Sequence, residues 1–364
     1  MSEPDLAPEA AGTEAAAPAC EADSELDFTP RFCAPTAIGD GGSGTVFQAE
    51  DPRLGRRVAV KVLHPDLMSE QRHTQRFLRE AKATGTLEHP NIPPVYEFGQ
   101  TPGGRPYLAL KLIEGQTLAE LVQKLAAADE AAHAEYPFHR RLQIAIALCD
   151  ALEYAHERNI LHRDLKPENV MLGRHGEVWL VDWGLAAPPS QEREDDDRLT
   201  AEHTFVGTLS TTAPEQLAGV YSPKSDQYSL GVVLYFLFAL RNPHQGETRF
   251  ERMNSLLHEV PRPAESYVLP VQGRVPREIS VLLARMLAKD PEARFASVRQ
   301  VKQELSIILG GDIHAICPHT FLKKSGHRLG RFLDTHNLWL APLVILWLLY
   351  PVVHLIYLTV ERFR

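Results

Sequence analysis

His162-Arg163-Asp164-Leu165-Lys166-Pro167-Glu168-Asn169 puts three chemically able groups in a fixed order. Asp164 is a carboxylate that can orient a nearby hydroxyl and take its proton. Lys166, two positions on, can neutralise charge on a phosphoryl oxygen. Asn169 offers a hard amide oxygen of the kind magnesium accepts. Pro167 stiffens the loop and keeps Lys166 out of helical geometry. Taken singly, a loop Asp or Asn is a turn former; the ordered octet is not explained by turns.

The octet resembles the catalytic loop of eukaryotic-like (Hanks-type) protein kinases, and Lys166 resembles their Ser/Thr branch rather than the tyrosine branch. The resemblance implies an α+β, bilobal protein kinase fold: a small β-rich N-lobe with one helix, helix C, and a large helical C-lobe. It implies Asp164 and Lys166 as catalytic residues and Asn169 as a metal ligand. Whether the remaining chain supplies the partners of such a loop is a separate question.

The chain has 364 residues, enough for one two-lobed domain plus appendages. Its net charge of −9 argues against bulk nucleic-acid binding. Residues 1–30 hold eight acids and no Lys or Arg, amid Ala and Pro, and read as a solvated acidic tail rather than a secretory signal. The four cysteines, Cys20, Cys33, Cys149 and Cys317, are scattered without a CxxC, which suggests a reducing compartment and neither a disulfide frame nor a zinc site.

Residues 31–113 are expected to form the N-lobe. Ile38-Gly39-Asp40-Gly41-Gly42-Ser43-Gly44-Thr45-Val46 reads as a hairpin with glycines at its tip, where backbone N–H groups can approach phosphate oxygens. Alone it is equally a plain Gly-rich turn. A Rossmann reading fails because a strand follows, not a helix. That strand ends Val58-Ala59-Val60-Lys61; a lysine there is ordinarily a snorkelling surface residue. The resemblance makes Lys61 the contact to the α- and β-phosphates of ATP. Residues 69–87 read as the next helix, with Ser69 as N-cap. Glu80, in Phe77-Leu78-Arg79-Glu80-Ala81-Lys82, is assigned as the partner of Lys61, with Glu70 and Glu88 as alternative registers at the helix ends. Val95–Phe98 and Tyr107–Leu112 read as paired strands. By resemblance Leu110 is the gatekeeper, and Lys111 to Ile113 present backbone to adenine where an acid often stands at position 111. The resemblance also makes Ile38, Val46, Ala59 and Met171 walls of the ATP pocket.

Residues 114–309 are expected to form the C-lobe. A helix is read at Leu118–Leu125, a variable insertion at 126–136, and a helix at Arg141–Arg158. Short strands Val170–Leu172 and Val178–Val181 flank the way to Asp182-Trp183-Gly184, 13 residues after Asn169. It resembles Asp-Phe-Gly, whose Asp holds magnesium, with Trp in place of Phe. Residues 185–212 read as an activation segment. Arg163 would meet a phosphothreonine there, Thr204 or else Thr200, and Thr208 resembles the threonine that bonds the catalytic Asp and Lys. Thr211-Thr212 stand where the family usually has Tyr-Met. Ala213-Pro214-Glu215 closes the segment, with Arg294 as the buried partner of Glu215. Asp226 begins a very apolar helix, Tyr228–Leu240, and by resemblance anchors the catalytic loop. Helices at 278–288 and 297–309 complete the lobe.

After a basic juxtamembrane linker, 310–337, the 23 residues Leu338–Val360 contain no Asp, Glu, Lys or Arg. As a helix they would run roughly 34 Å, enough to cross a bilayer core; a buried soluble helix is the alternative. Trp339 and Tyr357 sit near the ends as an aromatic belt would. Lys323, Lys324, Arg328 and Arg331 precede the span, against Arg362 and Arg364 in the tail 361–364, which favours a single-pass protein of the inner membrane with residues 31–309 cytoplasmic. His354 within the span is read as a neutral, partner-bonded or lipid-edge histidine, with a functional intramembrane histidine as the alternative. With so short a tail, no extracellular sensor domain is expected.

The reading favoured is a membrane-anchored, non-specific serine/threonine protein kinase that uses ATP and Mg²⁺, with Mn²⁺ as a substitute. Its partners would be protein substrates and a second copy for trans-autophosphorylation. The alternatives are a pseudokinase scaffold, which Trp183 and Thr211-Thr212 would favour, and a small-molecule phosphotransferase.

Overall fold

Period-two alternation in one strand sorts the N-lobe into two faces. The computed structural model describes residues 31–186 and 210–310. The acidic tail, Thr200, Thr204, Thr208 and the 338–360 segment lie outside them. The first sheet comprises β1 (Cys33–Gly41), β2 (Gly44–Asp51), β3 (Arg56–Leu63), β4 (Val95–Gln100) and β5 (Pro106–Lys111), all antiparallel in the order β1-β2-β3-β5-β4. On β3, Val58, Val60 and Val62 turn to one face and pack with Phe32, Phe47 and Tyr107. Ala59, Lys61 and Leu63 turn to the other, where Leu63 meets Leu108 and the helix α1 (Gln71–Gly85) through Phe77 and Ala81. A one-residue slip would bury the valines' neighbours and expel Lys61 from the site.

Helix α1 begins later than the sequence implied. Ser69 ends a short 3-10 turn, Pro65–Ser69, and its hydroxyl donates to Asp66 O instead of capping α1. Glu70 holds the N-cap position, without a side-chain cap bond, so it is outside the helix altogether. Residues 87–92, after α1, leave the N-lobe core: Leu87 and Ile92 join the large second core. Leu180 N donates to Asn91 O, and Asn91 Nδ2 to Val178 O, each at 2.8 Å.

The C-lobe is helical around that second core. It contains α2 (Leu118–Ala126), α3 (Glu130–Glu135), α4 (Phe138–Glu157), α5 (Pro214–Leu217), α6 (Pro223–Ala239), α7 (Arg249–His258), α8 (Arg277–Met286) and α9 (Val298–Leu309). A small sheet, β6 (Gly115–Thr117), β7 (Val170–Gly173) and β8 (Val178–Leu180), brackets the catalytic loop, and a two-stranded ribbon pairs β9 (Val268–Leu269) with β10 (Gly273–Arg274). The 126–136 insertion contains α3, capped by Asp129. Helix α6 is buried nearly all round and starts at Pro223, so Asp226 sits within its first turn rather than at its start. Among the described residues no helix is long and apolar enough to cross a membrane.

Candidate active site

Three hydrogen bonds converge on Asp226. Its Oδ2 accepts from the His162 backbone N–H and the His156 ring, each at 2.9 Å, and its Oδ1 accepts from Arg163 N–H at 3.0 Å. Asp226 is fully buried; burial would raise its pKa, but the His156 hydrogen bond and neighbouring positive charge win and hold it low. These bonds hold Arg163 at φ +65°, a left-handed conformation that disfavours a residue with a Cβ. The His162 ring donates from Nε2 to Val181 O (3.2 Å) and accepts on Nδ1 from Asp164 N–H (3.3 Å). Burial lowers its pKa, in keeping with that neutral pattern.

The loop so fixed presents Asp164, Lys166 and Asn169 together. Asp164 Oδ2 accepts from Lys166 Nζ at 2.7 Å and from Asn169 Nδ2 at 3.3 Å. Its Oδ1 is buried with no hydrogen-bond partner among the described residues. Among the described residues it is the carboxylate oxygen left without a donor. Asn169 Nδ2 also donates to Asp164 O at 2.8 Å. A carbonyl can only accept, so the amide nitrogen must face it, and the Asn169 side-chain oxygen is left as the ligand end.

The opposite wall comes from the sheet. Lys61 Nζ donates to Glu80 Oε1 (2.6 Å) and Oε2 (2.9 Å), and to Asp182 Oδ1 (3.2 Å) across the cleft. Burial acts to lower the Lys61 pKa, but Glu80 and then Asp182 outweigh it and hold the ammonium charged. Desolvation likewise acts to raise the Asp182 pKa, and Lys61 with Lys166 overcomes it and lowers it. Gly184 lets these acids crowd: a Cβ there would lie 3.1 Å from Asp182 Oδ1 and 3.2 Å from Glu80 Oε2. Asp182 itself has φ +61°. Trp183 is buried, packs on the His162 ring with centroids 4.6 Å apart, and donates its indole N–H to Leu180 O at 3.1 Å. The polar atom that distinguishes it from Phe is therefore satisfied.

Asn169 and Asp182 bring one amide oxygen and one carboxylate to the same cleft. Magnesium is held by one or two carboxylates plus substrate phosphates, so this donor set fits Mg²⁺, and Mn²⁺ equally. The glycine hairpin fits the phosphates. Gly41 pairs with Gly44 around Gly42-Ser43, and a Cβ on Gly39 or Gly42 would meet nothing within 4 Å, which leaves the backbone approachable. Gly44 is needed for a different reason: a Cβ there would lie 2.2 Å from Val62 O.

Sheet register places Val46 opposite Lys61 and Ala59 opposite Leu110, so all four share a face. Val46, Ala59, Leu110 and Met171 are half-buried and Ile38 is exposed, as apolar walls of an open pocket would be. Lys111 lays its ammonium over the Trp179 ring at 5.1 Å. Its backbone N–H donates to Pro94 O at 3.2 Å, so of the three residues expected to present backbone to adenine, Lys111 has its N–H already engaged.

Behind the loop, Arg294 NH1 and NH2 donate to Glu215 Oε1 and Oε2 at 2.6 and 2.9 Å, and its remaining N–H groups reach Ala288, Lys224 and Lys289 carbonyls. Two contacts escaped the sequence reading. His156 supports Asp226 from 70 residues away, and Arg163 packs over Tyr221 at 4.7 Å. No local pattern signals either. Helix α7 also escaped, although Thr248-Arg249-Phe250-Glu251 spells its capping box.

Residues 33–306 match the protein kinase domain family. The chain is 33% identical over 301 residues to serine/threonine-protein kinase PknD of Protochlamydia amoebophila, covering 77% of this chain and 30% of that protein. It is 36% identical over 290 residues to PknD of Chlamydia pneumoniae, covering 75% and 30%. A probable serine/threonine-protein kinase of Streptomyces coelicolor is 34% identical over 281 residues, covering 75% and 39%. The chain thus spans about a third of the length of these relatives. The chain belongs to the protein kinase family, and these relatives are bacterial serine/threonine kinases.

Proposed function

We propose that this protein transfers the γ-phosphoryl group of ATP to serine and threonine hydroxyls of proteins. The observation that carries the reading is the meeting of two half-sites at Asp182: it accepts from Lys61 of the Lys61–Glu80 pair, and Lys166 of the Lys166–Asp164–Asn169 cluster is near enough to help lower its pKa. Lys61 holds the nucleotide phosphates under the glycine hairpin. Asp164 Oδ1 orients the acceptor hydroxyl and takes its proton late, as the oxygen–phosphorus bond forms. Lys166, already on Asp164 Oδ2, neutralises charge on the moving phosphoryl group. Asn169 and Asp182 would hold magnesium, which would supply positive charge against the phosphates, and ADP leaves as the bond to the acceptor oxygen forms.

The same reading extends to the parts outside the described residues. Phosphorylation of Thr204, or of Thr200, by a second copy would bring an anion to Arg163, and residues 338–360 would anchor the kinase domain at the cytoplasmic face of the inner membrane. Hydropathy and the flanking charges support the anchor.

The test incubates the full chain in detergent micelles, beside Asp164→Asn, with labelled ATP and magnesium, and maps phosphate by mass spectrometry. Phosphate on Thr200 or Thr204 in the parent, and a fall of about 10²–10⁴-fold in the variant, is the expected result. No phosphate on the parent or on basic protein substrates overturns the catalytic reading and leaves a scaffold.

A further inference from the structure

The turn after α6 and the first part of α7 enclose an open hollow of about 540 Å³, lined by Arg241, Asn242, His244, Gln245, Gly246 and Arg252. None of these residues belongs to the ATP cleft. The lining has two guanidinium groups and no carboxylate. Arg241 makes no ion pair among the described residues and rests over the Tyr267 ring at 5.2 Å. Arg252 donates Nε to Gly246 O (2.9 Å) and NH2 to Glu247 O (3.4 Å), backbone partners that leave its charge unneutralised. Glu251, its neighbour in sequence, is turned to the start of α7, where Oε2 accepts from Glu247 N and Thr248 N.

His244 is 3% exposed, and a chain of hydrogen bonds fixes its tautomer. The Lys289 ammonium can only donate, and it donates to Leu256 O (2.6 Å), Ser255 O (3.3 Å) and the Tyr228 hydroxyl (3.4 Å). The Tyr228 hydroxyl is fully buried and the ammonium cannot accept, so among the described residues the one acceptor for its proton is His244 Nε2 at 2.8 Å. Burial, helped by Lys289, pushes the His244 pKa down to about 3, so the ring is neutral and its hydrogen is on Nδ1. Nδ1 is buried and has no partner among the described residues. Asn242, in the same lining, accepts the His244 backbone N–H on Oδ1 at 2.8 Å, which leaves its NH₂ to donate. Gly246, at φ +146°, seats the turn against α7, because a Cβ there would lie 2.7 Å from Arg252 N and from Glu251 Cβ. A preset group of donors, one of them buried and unsatisfied, calls for an acceptor of several oxygens.

We propose that this hollow binds a phosphoryl group borne by a phosphorylated serine or threonine side chain, held by Arg241, Arg252, Asn242 and the His244 Nδ1–H. Two guanidiniums and two neutral N–H donors exceed what the two oxygens of a carboxylate can use, whereas a phosphomonoester brings three oxygens and nearly two charges. His244 also connects the hollow to the end of the segment on which a protein substrate would lie: it bonds Tyr228, Tyr228 packs under Arg294 at 4.8 Å, and Arg294 grips Glu215. The peptide source rests on the kinase reading; the phosphoryl chemistry does not.

The test is a ³¹P NMR titration of the full chain, with the ATP cleft saturated by a non-hydrolysable ATP analogue and magnesium. The probes are the peptide Ala-Ala-phosphoSer-Ala-Ala and inorganic phosphate, with the unphosphorylated peptide as competitor. The phosphopeptide is expected to bind saturably and to be unaffected by the competitor. Arg241→Ala with Arg252→Ala is expected to weaken it by about tenfold or more. His244→Phe keeps a ring in place, removes the Nδ1 donor, and is expected to weaken it by about threefold or more. Displacement by the unphosphorylated peptide, or unchanged affinity in the double arginine variant, overturns the site. Inorganic phosphate binding more tightly than the phosphopeptide overturns the peptide source. No turnover is needed, so an inactive kinase and an absent site give separate results.

Discussion

On the helical side of the cleft, one buried carboxylate, Asp226, accepts three hydrogen bonds and fixes the loop that carries Asp164, Lys166 and Asn169. On the sheet side, Lys61 is located by one carboxylate on α1 and by Asp182 across the cleft. The first arrangement is part of the C-lobe core and forms as that core packs. The second is a pair of tethers between elements that each have other packing partners. The C-lobe half is therefore built as structure, and the N-lobe half as an adjustable contact. Loss of an anchor should cost stability in the first case and activity in the second.

The largest effect is expected at Asp226. Asp226→Ala leaves two backbone N–H groups and the His156 ring without their acceptor in a buried place, and should cost roughly 3–5 kcal/mol in urea unfolding, with activity abolished. Asp226→Asn retains an acceptor oxygen and should cost less. The sign of the pH dependence follows from the lowered pKa: the Asp226 contribution is present above the ordinary aspartate range and is lost as pH falls through its folded value. A cost below about 1 kcal/mol for the alanine variant would mean that the loop holds its shape by packing alone.

Glu80→Gln should reverse the pattern. The amide can still accept from Lys61 but no longer balances its charge, while Phe77 and Ala81 keep α1 in place. The expected loss is about tenfold to a hundredfold in kcat/KM for ATP, from a charge-assisted bond of ~1.5–3 kcal/mol. The unfolding midpoint should fall less than for Asp226→Ala, because Asp182 remains on the Lys61 ammonium and the glutamine oxygen still accepts from it. A large drop in stability with unaltered kinetics would erase the contrast between the two sides.

What could be read in the sequence was chemistry carried by short, ordered motifs. The octet at 162–169, the glycines at 39–44, Lys61, Asp182 and the Glu215–Arg294 pair were all legible because each motif brings its own context. Glu80 was found by matching a segment and could have been mistaken for Glu70 or Glu88; the structure leaves Glu70 before α1 begins and puts Glu80 on Lys61. Contacts between distant elements were not legible. Nothing near His156 says that it supports Asp226, and Tyr221 gives no local sign of its place under Arg163. Trp183 looked like a departure that favoured a scaffold; its indole N–H finds a carbonyl only three residues back, which removes that argument. Of the other departure, Thr211-Thr212, the first residue is buried.

Two buried histidines sharpen the contrast at its smallest scale. At His162, burial lowers the pKa, but Asp226, Asp164 and Asp182 stand around it and pull it back up. At His244, the facing charge is Lys289, which adds to burial, and the pKa falls to about 3. A histidine with a folded pKa below its unfolded value of about 6.5 makes the unfolded state bind more protons in acid. Its contribution is therefore complete above pH 6.5 and is lost as pH falls below it, down to the folded value. For His244 the loss between pH 7 and pH 5 is roughly 2 kcal/mol, from about 1.5 pH units at 1.36 kcal/mol each. His244→Phe costs the Tyr228 hydroxyl its acceptor, about 1 kcal/mol at pH 7, but should flatten the dependence on pH by that larger amount. Urea midpoints of parent and variant at the two pH values measure the difference directly. Parallel pH profiles would mean that the ring takes up a proton without resistance, and that the hollow it lines is wetter and less preset than its hydrogen bonds indicate.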